Sequence, residues 1–180
     1  MTAAAIIETT RLRMYEFVEG SAADASFMLE LLNDPGFLRY IGDRGVHTLE
    51  QAHAYLLKGP ISSYRKLGFG LYRIQEKSAG RSIGVCGLVK RDTLDDVDLG
   101  YALLADSCGQ GYAREAAAAV LAHARVELSL PRIVAITDPD NQASIALLEK
   151  LGFGFDRIVR LSADDIELKL FALEIVRAGE

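Results

Sequence analysis

Val97-Asp98-Leu99-Gly100-Tyr101-Ala102-Leu103-Leu104 runs on through Ser107-Cys108-Gly109-Gln110-Gly111-Tyr112-Ala113 into an alanine-rich stretch, Ala116 to Ala124. A β-favouring apolar segment comes first, two glycines one residue apart follow, and alanine, the strongest helix former, closes the run. The order is strand, glycine turn, helix. At such a junction the first backbone N–H groups of the helix lack intrahelical partners and sit at the positive end of its dipole, while Gly109 and Gly111 leave room for an anion. One dipole contact contributes about 0.3–1 kcal/mol at an exposed site, so several amides must converge to hold a pyrophosphate. The same glycines also suit an ordinary tight turn. The stretch lacks the Gly-Lys-Ser/Thr of a P-loop, and it lacks the third glycine and acidic ribose ligand of a dinucleotide fingerprint.

Upstream of this junction, alternation over Arg11 to Val18 predicts a first strand, and Phe27, Met28, Leu31 and Leu32 predict a helix over Asp24 to Leu32. Asn33-Asp34-Pro35-Gly36 stops that helix, and Phe37 to Ile41 reads as an aromatic connector. Thr48 and Gln51 fit a capping box for a second helix ending near Gly59-Pro60. Phe69 to Gln75, Ile83 to Lys90 and Val97 to Leu104 then read as an antiparallel meander. Downstream, the long helix spans about Tyr112 to Leu128. Arg132 to Thr137 is a strand, Asn141 to Leu151 a helix, and Phe153 to Leu161 and Ile166 to Val176 are strands. A meander joined to right-handed strand–helix–strand units implies an α/β (α+β) fold. Its expected form is a mixed, mostly antiparallel twisted sheet of about six to seven strands with helices on both faces.

With 180 residues, 50% hydrophobic, and no composition shift, residues 1–180 are expected to form a single domain. A net charge of -5 with scattered Lys and Arg excludes a basic stripe, so no nucleic-acid partner is expected. No apolar stretch approaches the roughly 20 residues of a membrane span. Met1 to Ile7 has no basic leader, so a soluble, cytoplasmic protein is expected. Cys86 and Cys108 form no CxxC pair, and His47, His53 and His123 do not cluster, so no metal is expected. Cys86 reads as a small buried hydrophobe. Cys108 reads as structural filler or, alternatively, a reactive thiol.

Two blocks together carry a family resemblance. Gly109-Gln110-Gly111-Tyr112-Ala113-Arg114-Glu115-Ala116 resembles the acetyl-CoA signature of the GNAT superfamily of N-acetyltransferases, with Gly111 and Ala113 in its last two fixed places. Asn141-Gln142-Ala143-Ser144, continuing to Leu151-Gly152-Phe153, resembles that family's later helix. Asp98-Leu99-Gly100-Tyr101, Phe37 to Gly42 and Thr48 to Ala52 resemble the branch that acetylates ribosomal-protein N-termini. The sequence departs from the family in two places. Cys108 replaces the usual Arg or Gln, and Leu148 stands where many members carry the tyrosine that protonates the leaving thiolate.

The resemblance implies an acetyl-CoA-dependent N-acetyltransferase acting on a primary amine, either a protein N-terminus or a small molecule. A non-catalytic coenzyme A sensor is the alternative. It also implies pantetheine lying along Ala102, Leu103 and Leu104, and phosphates on Gly109, Gln110, Gly111, Tyr112, Ala113 and Arg114, with Asn141 a further cofactor contact or an ordinary N-cap. Asp98 is the candidate base, through water, or else a solvated strand-end acid. Ser144, then Tyr101, are the candidate partners of the thiolate, though Ser144 also suits a packing or capping role. Phe37, Arg39 and Tyr40 are implied at the acceptor entrance, or packed back on the core. Either a monomer or a homodimer fits.

Overall fold

A computed structural model describes residues 4–175, and Val176 of the expected last strand lies outside them. The strands are β1 (Ile7–Glu8), β2 (Leu12–Tyr15), β3 (Leu71–Glu76), β4 (Ser82–Val89), β5 (Val97–Leu103), β6 (Arg132–Thr137), β7 (Gly154–Val159) and β8 (Leu168–Glu174). They form one sheet in the order β1-β2-β3-β4-β5-β6-β8-β7. Every neighbouring pair is antiparallel except β5 with β6. This is the mixed, mostly antiparallel sheet expected, with eight strands rather than six to seven. The additional one, β1, pairs just two residues with β2, too short to show a sequence period.

The helices are α1 (Ala22–Leu32), α2 (Pro35–Tyr40), α3 (Leu49–Leu56), α4 (Ser62–Leu67), α5 (Tyr112–His123) and α6 (Gln142–Lys150). Two expectations need correction. The aromatic connector is itself a helix, because Asp34 accepts from the Gly36 N–H and Pro35 occupies the first turn, where a missing N–H costs nothing. Nor does the chain leave the helix at Gly59-Pro60. A widened turn, Leu57–Ile61, carries α3 over a kink at Gly59 into α4, and Gly68 at φ 76° ends it. The capping box of Thr48 and Gln51 is present.

Helices cover both faces of the sheet. On one, α5 and α6 bury Ala116, Ala117, Val120 and Leu148 against Leu99, Ile133 and Phe171. On the other, α1, α2 and α3 bury Leu31, Phe37, Ala52 and Leu56 against Phe17, Val85 and Leu104. Alternation along β5 then divides its side chains: Leu99, Tyr101 and Leu103 join the α5–α6 face, and Ala102 the α1–α3 face.

Candidate functional site

The parallel seam between β5 and β6 is short. Only Val97↔Ile133 and Asp98↔Val134 are paired, whereas β5 stays paired with β4 as far as Leu103 and β6 with β8 as far as Thr137. Beyond Asp98 the two strands part, so Leu99 to Leu103 have an edge facing β6 without ladder partners. Unpaired backbone groups on such an edge can take an extended ligand as an added strand. The edge passes Ala102, Leu103 and the buried Leu104, then a single 3₁₀ turn, Ala105–Ser107, and reaches the glycine turn.

Gly109 and Gly111 both adopt left-handed backbone, at φ 74° and 81°, where a side chain costs about 1–2 kcal/mol. Gly111 is the N-cap of α5 and supplies no side-chain hydrogen bond. The other helices that begin from a loop are capped: α1 by Ser21, α2 by Asp34, α3 by Thr48 and α6 by Asn141. The leading amides of α5, those of Tyr112, Ala113 and Arg114, therefore have neither an intrahelical nor a capping partner, as an anion site requires. Gly109, Gln110 and Arg114 are exposed. Tyr112 offers the site only its backbone, since its ring is buried and its hydroxyl donates to Glu76 Oε1 at 3.0 Å. Cys108 is exposed, but partial burial and the carboxylates of Asp34 and Asp106 hold its thiol above the ordinary pKa, which disfavours a reactive thiolate.

Two of the three candidate catalytic residues meet. Tyr101 Oη and Ser144 Oγ are 2.7 Å apart, and Ser144 is held in the first turn of α6 because its N–H donates to Asn141 Oδ1 at 3.1 Å. Burial pushes the Tyr101 phenol up to about 12, so it stays protonated at neutral pH. Asp98 lies apart from this pair, on the opposite face of β5 at the vertex of the split. It is 1% exposed and accepts from Arg91 Nε at 2.7 Å. Burial raises its pKa to about 6, against the opposing pull of the Arg91 guanidinium and the Ile136 backbone. Its Oδ1 is buried without a hydrogen bond of regular geometry.

Elsewhere the placements differ in kind. Phe37, 8% exposed, packs in the α1–α3 core, while Arg39 is exposed with its guanidinium 4.9 Å from the Tyr40 ring centroid. Leu148 is fully buried, so the place where a tyrosine is usual in the resembled family is a core position here. Sequence reasoning missed Arg91, whose only signal was its place, after Lys90, just before the acidic run Asp92 to Asp98. It also missed Asp34, whose Oδ2 accepts from the Ala105 N–H at 3.0 Å and ties α2 to the segment after β5.

The family model of the GNAT acetyltransferase domain matches residues 11–154, and the chain belongs to that family. It is an acyl-CoA-dependent acetyltransferase. It is 27% identical over 157 residues to the uncharacterized N-acetyltransferase YoaA of Bacillus subtilis, covering 86% of each chain. A solved acetyltransferase from Agrobacterium tumefaciens matches with TM-score 0.78 at 24% identity, over 97% of this chain and 96% of that one. RimL, a ribosomal L7/L12 alpha-N-protein acetyltransferase solved in complex with coenzyme A, shares the fold with TM-score 0.71. It is 19% identical, over 96% of this chain and 98% of that one. Among the described residues no His, Cys, Asp or Glu group fits a metal, and no helix is long and apolar enough to cross a membrane.

Proposed function

We propose that the chain moves the acetyl group of acetyl-CoA to a primary α-amine, as at a protein N-terminus, by direct attack within the split between β5 and β6. One observation carries this reading. The strand edge that opens after Asp98 leads through a single 3₁₀ turn and the glycine turn to the α5 start, which alone among the loop-entered helices of the described residues has no side-chain cap. Pantetheine pairs along Ala102 to Leu104. The phosphates sit on the amides from Gly109 to Arg114, and Asn141 acts from the far side as the cap that holds Ser144. Arg39 and Tyr40 stand at the acceptor entrance, with Phe37 supporting them from the core.

Bringing amine and thioester together is the largest contribution. Asp98, at the vertex, takes the amine proton through water. With a pKa of about 6 it is mostly ionised at pH 7 yet a stronger base than an ordinary aspartate. About 14% of a typical α-amine is neutral at pH 7 against about 0.04% of lysine, so a base of this strength suits an α-amine better. On the other face the Tyr101 phenol, at about 12, is too weak an acid to protonate a thiolate of ordinary pKa about 8.5 outright. The pair instead stabilises the departing sulfur by hydrogen bonding. The 2.7 Å contact allows either hydroxyl to donate, and with Tyr101 as the donor the serine proton is free to face the sulfur.

The test is thiol release from acetyl-CoA with peptides bearing either a free N-terminus or a blocked N-terminus and a lysine. Free N-termini should react faster. kcat/KM should rise with pH through a limb near 6, and Asp98→Asn should lower the rate about 100-fold and abolish that limb. Stability moves the other way. Because the folded pKa lies above the unfolded value, the contribution of Asp98 is fully present below about pH 4 and is lost as pH rises through about 6, some 3 kcal/mol in all. Asp98→Asn should therefore be no less stable than wild type at neutral pH. An unchanged pH profile in Asp98→Asn removes the base assignment, and equal rates on both peptides remove the α-amine preference.

A further inference from the structure

Arg11 lies about a hundred residues before the glycine turn in sequence, yet it packs against it. Its Nη1 donates to the Gln110 carbonyl at 2.9 Å, its Nε to Glu115 Oε2 at 2.7 Å, and its backbone N–H to Glu115 Oε1 at 2.9 Å. Its guanidinium carbon is 4.5 Å from the Tyr112 ring centroid. A Cβ built on Gly111 would lie 3.4 Å from Arg11 Nη2. The hydroxyl of Thr9 donates to the same Glu115 Oε1 at 2.6 Å, and the Lys77 N–H donates to the Arg11 carbonyl at 2.9 Å. The loop joining β1 to β2 is thus tied across the first turn of α5.

The arrangement answers two problems that the turn poses for an anion. The Gln110–Gly111 peptide turns about ψ of Gln110 and φ of Gly111, and the glycine φ, here 81°, reverses readily. In a planar trans peptide C=O and N–H point oppositely, so whichever group holds the Gln110 carbonyl also sets the direction of the Gly111 N–H. Glu115 poses the second problem, since it places a carboxylate in the first turn of α5, where a phosphate would meet it. Burial works to raise its pKa, but the hydrogen bonds from Thr9 and Arg11 outweigh it and keep the group ionised and paired.

We propose that Arg11 is the positioning residue of the phosphate turn: its guanidinium fork fixes the Gln110 carbonyl so that the Gly111 amide faces the phosphates, and it neutralises Glu115 beside them. This rests on reading the turn as the phosphate site of acetyl-CoA. The role requires a fork that serves a carbonyl and a carboxylate at once, which an ammonium cannot reproduce.

The experiment compares Arg11→Gln and Arg11→Lys with wild type, using acetyl-CoA and the phosphate-free donor acetyl-pantetheine at a saturating amine. Both variants should raise KM for acetyl-CoA about tenfold with kcat within twofold. Both should keep the wild-type kcat/KM for acetyl-pantetheine. Side-chain exposure of 44% at Arg11 makes folding of both variants expected, and if Arg11→Gln fails to fold, Arg11→Lys alone decides. Full retention of the acetyl-CoA KM in Arg11→Lys overturns the proposal, because charge alone would then suffice. An equal fall on both donors also overturns it, because the effect would then be on the fold rather than on the phosphates. A wild type that uses both donors equally well would remove the phosphate reading itself, independently of Arg11.

Discussion

Two helices start at the mouth of the split, and they start differently. α6 opens on Asn141, whose side chain takes the Ser144 N–H, so its first turn is closed within the protein and Ser144, the proposed partner of the departing sulfur, is fixed there. α5 opens on Gly111 in left-handed backbone with no side-chain cap, so the leading amides of its first turn are left without a partner in the protein. Replacing a side-chain cap by glycine typically costs about a few tenths of a kcal/mol, which is the order of what α5 forgoes by starting on Gly111. The difference teaches that a helix start is a choice between local stability and ligand binding. On the proposed function, the closed start serves the chemistry and the open one the donor.

The strongest way to break that contrast is to put a side chain on the open start. Asparagine tolerates positive φ better than most residues, so Gly111→Asn should fold, with a stability change of about 1 kcal/mol or less. Its side chain would start beside the Arg11 guanidinium and compete with a phosphate for the leading amides. KM for acetyl-CoA should rise about 100-fold, equivalent to about 2.8 kcal/mol, with kcat at saturation little altered. An unchanged KM would mean that the open start is only a turn.

How much of this was legible in the sequence follows from the range of the interactions. The strand, glycine turn and helix around residue 109 were readable because propensity and glycine conformation act within a few residues, and β6 spans Arg132–Thr137 as expected. The Asn141 cap was likewise local. Asp98 shows the limit. Its run of acids reads as solvated, but two paired residues of β6 and the guanidinium of Arg91 bury it, and no local pattern encodes that parallel pairing. Phe37 differs, since the sequence left it between the acceptor entrance and the core, and Asp34 and Pro35 start a helix that turns the ring into the core. Arg11 had no local signal at all, since its partners Gln110 and Glu115 lie about a hundred residues away in sequence.

A smaller effect sharpens the role of the closed start. If Ser144 and Tyr101 act as one hydrogen-bonding unit on the departing sulfur, Ser144→Ala and Tyr101→Phe should each lower kcat about tenfold, and the double variant should fall little further, because groups acting as a unit are not additive. KM for acetyl-CoA should hardly move. Losses that multiply would show two independent contributions, and unchanged turnover in both would assign the sulfur to solvent.

The smallest effect is expected from the cap itself, and it isolates what closing a helix contributes. Asn141→Ala removes the acceptor of the Ser144 N–H without touching the serine hydroxyl. The loss should be about 1 kcal/mol of folding stability, which for a chain of 180 residues is a fall of roughly 2–4 °C in Tm by calorimetry. Loosening the first turn of α6 should also let Ser144 drift from Tyr101 and lower kcat about threefold, less than deleting the hydroxyl. Acetyl-CoA KM should stay at the wild-type value. A large rise in that KM with little change in Tm would mean that Asn141 contacts the donor directly. In that case α6, like α5, would begin as a ligand site, and the contrast between the two starts would be lost.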